Sequence, residues 1–506
     1  MAAKIYPFVS QPGIRRDGTS FASPYWTDGQ WVRWQRGLPR KMGGYKYIEN
    51  NSNVPRGIFV IPISRNFNVY TATFDSLSYF PIDQNGNVLG PRIDRTPVTL
   101  NPNVNNVWSF DIMYSSTVQH SVPVGSVIFA HAPPNLSSID SSVETPIYFG
   151  DTYANTPLVP LGISASGGIC VLHPYLFIFS NTGNVKWSVA NNPGTILGEA
   201  RISSQKVVAC KQTRGGNSAP AGILWSLDSV IRVTQAGLGS SVEFRFDTIS
   251  DESSILSSRS VVEYDSKFYW CGIDRFLAYN GTVIEIQNNM NQNFFFNNLN
   301  FSQRQKIWGT KVPEFGEIWW HYPSGNNTEC DRAIIFNVRE NTWYDSESRR
   351  SCGYFNQVFA DPIWCSSFAD TDISNQYGVW IHESGLNRNV NNVLTAIPSW
   401  IETGDISYCA IGPTGAWTGT EKQVELFRFE PDFIQSGDMT IIVKGKQYAR
   451  SPSINSTPKV FSPTTEKIDF LEQRREMRLR FMSNVIDGDY QMGQSLITLY
   501  VGDGRP

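Results

Sequence analysis

Apolar and aromatic residues in this chain come in short runs, and Gly, Asn, Asp, Ser and Pro cut nearly every one. The runs "NFNVYTATF", "GSVIFAHAP", "HPYLFIFSN", "AGILWSLDS", "SKFYWCGID", "GEIWWHYPS" and "DPIWCSSFA" read as strands, since each is brief, rich in β-branched and aromatic residues, and bounded by turn formers. Taking Tyr70, Phe129, Phe177, Trp225, Trp270, Trp319 and Trp364 as markers, the steps between them are 59, 48, 48, 45, 49 and 45 residues. A second strand follows each marker across a turn, from "SLSYFPI" after Tyr70 to "YGVWIHES" after Trp364. "SNTGNV" and "AYNGTV" have the composition of tight hairpins.

A period of about 45 residues with several short strands and a recurring aromatic is the pattern of a propeller blade. One such unit cannot cover both faces of its small twisted sheet, so neighbours must stack around an axis. The spacing predicts six or seven blades over residues 51–391, with Tyr70 belonging either to the first blade or to an entry strand.

From residue 392 the pattern changes. "EKQVELFRFEPDF", "DMTIIVKGKQYARS" and "REMRLRFMSNV" alternate with period two and carry more charge, so one face is buried and the other solvated. "QWVRWQRG" near the amino terminus alternates in the same way. The expected fold is therefore all-β. A propeller at 51–391 is inserted in, or followed by, a smaller β-domain at 392–506, with residues 1–50 packing against that smaller domain.

Composition sharpens this picture. Charged residues are 17% of the chain, against about 25% in typical soluble proteins, while aromatics reach 13%. Few charges and many rings suit large buried or subunit-covered areas. A net charge of −3 supplies no global attraction for nucleic acid. No apolar run reaches the roughly 18 residues needed to span a bilayer, so no stable membrane insertion is expected, and the opening "MAAKIYPFVSQPGIRRDG" does not read as a secretory signal. The seven scattered cysteines, 170, 210, 271, 330, 352, 365 and 409, read as free, buried thiols.

No catalytic constellation stands out. Phosphate-cradling glycine motifs are missing, and "GISASGG" (Gly162 to Gly168) lacks both the second glycine and the helix of a nucleophile elbow, so it reads as a loop between blades. The histidines 120, 131, 173, 321 and 382 are too dispersed for a metal cluster. Asp370 with Asp372, and Asp487 with Asp489, have oxygen-ligand chemistry without calcium-loop spacing and read as solvated turns. Metal, cofactor and catalytic residues are accordingly expected to be none. The competing class is a propeller that binds or degrades glycans, which would need paired carboxylates flanking a sugar. "SNTGNVKW" places Thr182 where the repeated sialidase hairpin has Asp.

The stretch "GIRRDGTSFASPYWTDGQWVRWQRGLPRKMGGY" resembles the amino terminus of tail-tube structural proteins of short-tailed bacteriophages, the tail nozzle or tail hub. The residues that match its W-x-D-G-x-x-V-R-W-x-x-G-x-P-x-K-x-G-G-[WY] phrase are Trp26, Asp28, Gly29, Val32, Arg33, Trp34, Gly37, Pro39, Lys41, Gly43, Gly44 and Tyr45. The carboxy-terminal "DGDYQMGQSLITLYVGDGRP" is similar to the ending of such chains. The resemblance covers both ends, and the middle matches only in its rhythm. It implies a homo-hexameric ring in the virion tail, docked to the adaptor (head-to-tail connector), with tail spikes or fibres attached nearby. Such a ring retains packaged double-stranded DNA and conducts it during genome ejection. On that reading Trp31, Arg33, Trp34, Arg36, Arg40 and Lys41 are candidates for subunit or adaptor contacts.

Overall fold

The computed structural model describes residues 4–8, 10–19, 24–116, 124–133, 139, 141–213, 220–237, 242–355, 361–407, 410–411, 417–418, 422–448 and 450–502. It is nearly all-β. His120 and Cys409 lie outside the described residues. The other six cysteines are free and buried. Among the described residues no helix is long and apolar enough to cross a membrane.

Residues 57–395 form seven successive sheets, A to G, among the described residues. Six are four-stranded, antiparallel and built from strands consecutive in the chain: A (57–94), B (109–165), C (168–201), D (207–250), E (262–286) and F (308–347). All seven marker residues fall in the second strand of their sheet, Tyr70 in A through Trp364 in G. Tyr70 thus belongs to a full sheet of its own rather than to an entry strand. Turn chemistry explains the tight connections. Thr182 and Gly183 adopt positive φ (54° and 73°) at "SNTGNV", and Gly281 does so (110°) at "AYNGTV".

Several strands of this array are buried along their whole length, namely "GICVL", "YLFIF" and "EIWWHY". Both faces of each sheet are covered by neighbours, so continuous apolar runs replace alternation. Separate apolar clusters join A to B, B to C, C to D, D to E and E to F. Another joins G back to A through Cys352, Ile363, Val379 and Ile381 against Ile58, Val60, Phe67 and Val69. Fully burying a side chain the size of Trp225 or Trp270 is worth on the order of 2–3 kcal/mol.

Sheet G takes three strands from residues 350–382, and its fourth is Tyr45–Asn51, antiparallel to Tyr377–His382. The boundary expected at residue 50 therefore falls inside a strand of the array. The one expected at 391 falls before Val393–Thr395, which also extends sheet G.

The remaining strands, termed the end domain below, come from both chain termini and share a core with Trp319 and Tyr344 of sheet F and Trp364 of sheet G. Lys4–Pro7 pairs with Leu496–Val501, Asp28–Gln30 with Ser399–Glu402, and Leu38–Lys41 with Asp489–Met492. Met439–Lys446 and Glu476–Ser483 alternate buried and partly exposed positions, as period two requires of a sheet with one covered face. Their inward residues Ile441, Val443, Leu479 and Phe481 share one core with Trp26, Val32 and Trp34.

Candidate functional site: the junction built by the amino-terminal motif

The motif residues run as a strap between the end domain and sheets F and G. Ahead of it, the Asp17 carboxylate accepts the backbone N–H groups of Asn293 and Phe294, each at 2.8 Å, serving two of the donors that open the short helix Gln292–Asn298. The Arg16 guanidinium bridges Asp28, in the motif, and Asp345 of sheet F (2.7 Å). Arg332 holds the other oxygen of Asp345 at 2.7 Å.

Arg33 is the centre of the junction. It is 1% exposed and pairs with two carboxylates, Glu317 of sheet F (Nε to Oε1, 2.9 Å) and Glu383 after the third strand of sheet G (Nη2 to Oε1, 2.6 Å). Its plane lies 3.6 Å from the centre of the Phe315 ring. Burial works against the guanidinium charge, but Glu317 and Glu383 outweigh it and hold Arg33 protonated. Burial raises the Glu317 carboxyl above the usual range, partly offset by Arg33. Glu317 also accepts the Tyr344 hydroxyl (2.6 Å) and the Trp319 indole N–H (2.8 Å), so its lone pairs are satisfied.

The neighbouring residues complete the fastening. Trp31 has a positive φ of 57°; its backbone N–H donates to Ser346 Oγ (3.1 Å) and its indole to the Gly43 carbonyl (3.0 Å). Trp34 packs 5.0 Å from Tyr344. The Arg36–Gly37 turn, with φ of 55° and 77°, points both backbone N–H groups at the Glu340 carboxylate of sheet F. Lys41 is buried and donates from Nζ to the Gly488 carbonyl at 2.6 Å, and burial lowers its pKa. The paired glycines have a steric reason. A Cβ on Gly43 would overlap the Glu383 side chain, and one on Gly44 would overlap the backbone of Asn387. Tyr45 then stacks on His382 at 5.2 Å.

Of the six contact candidates, Trp31, Arg33, Trp34 and Lys41 are interior to the chain, where they hold its own strands together. Arg36 is exposed, and Arg40 is 37% exposed beside Asp489 at 3.7 Å. Sequence reasoning missed Glu317, Glu340 and Glu383. One signal was present for Glu317, a carboxylate inside the unbroken apolar run "EIWWHY", which needs a cation.

The other candidate residues also make contacts within the chain. Asp370 and Asp372 both pair with Arg388, at 2.7 and 2.5 Å. Asp487 accepts the Asn387 side-chain amide. His321 stacks on Trp308 at 4.1 Å, and His382 accepts a hydrogen bond from Arg350 Nε at 2.9 Å. "GISASGG" is not simply a loop, since Gly162 to Ala165 belong to the outer strand of sheet B and only Ser166 and Gly167 link to sheet C. Among the described residues no group of three or more His, Cys, Asp or Glu could hold a metal ion.

A cavity of about 400 Å³ lies beside the first strands, lined mainly by residues at or just before the first strand of each of the seven sheets. No protein-family model matches the chain, and none of the curated proteins compared with it does either.

Proposed function

We propose that this chain is a structural subunit of a short phage tail, a nozzle that assembles as a six-membered ring below the adaptor. In it the seven sheets act as a closed seven-bladed propeller. Tyr45–Asn51 supports closure, since the last sheet borrows a strand from ahead of the first, and so does the cluster between sheets G and A.

The observation that carries the reading is the strap. The residues resembling a nozzle amino terminus fasten the end domain to the sheets through a buried Arg33–Glu317–Glu383 cluster and a glycine pair in backbone contact. Such rigid coupling suits a subunit that passes load from an adaptor to its outer domain. The axial cavity is the size of a small-molecule site, roughly 300–1,000 Å³, and far too small for duplex DNA. A DNA conduit must therefore lie between copies, which makes the ring essential to the activity.

Native mass spectrometry and negative-stain imaging of the purified chain, alone and with the adaptor, test this. Six-fold rings with an open centre are expected. A chain that stays monomeric with adaptor present, or one that turns over glycans, rules the reading out.

A further inference from the structure

The cavity between the first strands has its own chemistry. Each of these strands has a sheet partner on one side only, and its other edge borders the cavity. Arg259 reaches across one end. Its Nη1 donates to the Arg56 and Ser351 carbonyls (3.1 and 3.4 Å), and its Nη2 to the Lys306 carbonyl (3.1 Å). These acceptors belong to chain just ahead of sheet A, in sheet G and just ahead of sheet F. The cavity continues into a second hollow of about 390 Å³ past Lys211, Glu263, Lys311 and Tyr354.

Three charged side chains line the first cavity, Asp111, Lys211 and Arg259. Asp111 accepts the backbone N–H groups of Val171 (2.7 Å) and Ile112 (2.8 Å). Among the described residues neither Lys211 nor Arg259 forms an ion pair, and Arg259 Nε has no acceptor. Glu329, the carboxylate behind Arg259, is already shared by Arg56 (2.6 Å to each oxygen) and Lys306 (3.0 Å). The wall thus has two cations against one carboxylate, and the guanidinium sits away from bulk water with only carbonyl acceptors. Charge withdrawn from water without a counter-charge is costly, and a bound anion would supply one.

We propose that this cavity binds a small anionic molecule bearing a phosphate or carboxylate group, held by Arg259 and Lys211. The site is independent of ring formation and of the tail assignment.

Thermal melting of the full chain tests it, in inorganic phosphate, succinate or chloride at matched ionic strength. A saturable rise in Tm of roughly 2–4 °C over chloride is expected with at least one of the two anions. Which anion is effective identifies the group recognised. The rise should shrink several-fold in Lys211→Met, since the lysine side chain is exposed and forms no ion pair among the described residues. Arg259→Gln should lower the baseline Tm by cutting its three ties and also abolish the anion-dependent increment. If that variant does not fold, Lys211→Met decides alone. No rise over chloride, or an equal rise in Lys211→Met, overturns the proposal, because an unchanged increment is a general salt effect on stability.

Discussion

Arg33 and Glu317, 284 positions apart in the chain, form an ion pair of 2.9 Å with 1% and 0% of their side chains exposed. One comes from the strap and the other from the second strand of sheet F, so the pair exists only when end domain and sheets are docked. Removing Arg33 would leave Glu317 and Glu383 facing each other without a cation. Arg33→Ala is expected to destabilise the docked state by about 3–5 kcal/mol. It should appear in denaturant titration as an earlier first transition. Glu317→Gln should cost less, because Arg33 keeps Glu383. An Arg33→Ala chain that melts like the wild type would show that the cluster does not fasten the domains.

The glycine pair makes a steric prediction. Gly44→Ala drives a methyl group into the Asn387 backbone, which has no rotamer to change. Gly43→Ala mainly meets the Glu383 side chain, which can shift at the expense of its contact with Arg33. Both should destabilise by about 1–3 kcal/mol or more, Gly44→Ala the most. Gly325→Ala faces open space but has a φ of 58°, so it reports backbone strain without overlap and should be the mildest. Tm values for the three variants check this order.

Acid should weaken the fold through its buried imidazoles. His131 is fully buried, with Nε2 near the Ala165 carbonyl (3.0 Å) and Thr145 Oγ1 (3.1 Å), and burial pushes its pKa down to about 4. A histidine lowered in the folded state leaves the unfolded chain holding more protons below pH 6.5. Stability is therefore full above about pH 6.5 and falls as pH drops toward about 4, by on the order of 3 kcal/mol from this group. His321 and His382 are also lowered by burial, with Arg350 nearby, and add in the same direction. Glu317, raised by burial, opposes them at the acid end. Melting curves from pH 7.5 to 4.5 should show the decline, and His131→Gln should flatten it. A flat wild-type profile would mean that these imidazoles ionise without unfolding.

Arg36 and Arg40 are the motif cations left at the surface, which separates assembly from folding. On the ring assembly proposed above, Arg36→Gln with Arg40→Gln should impair ring formation or adaptor docking at a small cost in Tm, since the Arg40–Asp489 pair is solvent-exposed and such pairs are worth about 0–1 kcal/mol. Duplex DNA should bind the wild-type ring weakly. A grip would show a salt slope of about 0.9 log units per phosphate contact. Tight, steeply salt-dependent binding that vanishes in the double variant would mark these arginines as a DNA grip instead.

The sequence by itself determined the repeat. The markers from Tyr70 to Trp364 recur because each sheet needs a large apolar residue in its second strand, and local turn residues such as Thr182–Gly183 set the hairpins between strands. Period two likewise separated the end domain, since Glu476–Ser483 has one covered face while "EIWWHY" has two. Only the tertiary structure decided where Tyr45–Asn51 pairs, because an edge strand accepts whichever partner the fold brings alongside. It also decided that Arg33 is interior. "VRW" alternates equally well for a contact surface or a core, and the choice depends on carboxylates 284 and 350 positions away. The same holds for Arg259, which no motif marks. Its acceptors, the carbonyls of Arg56, Lys306 and Ser351, are far apart in the chain and are brought together only by the fold.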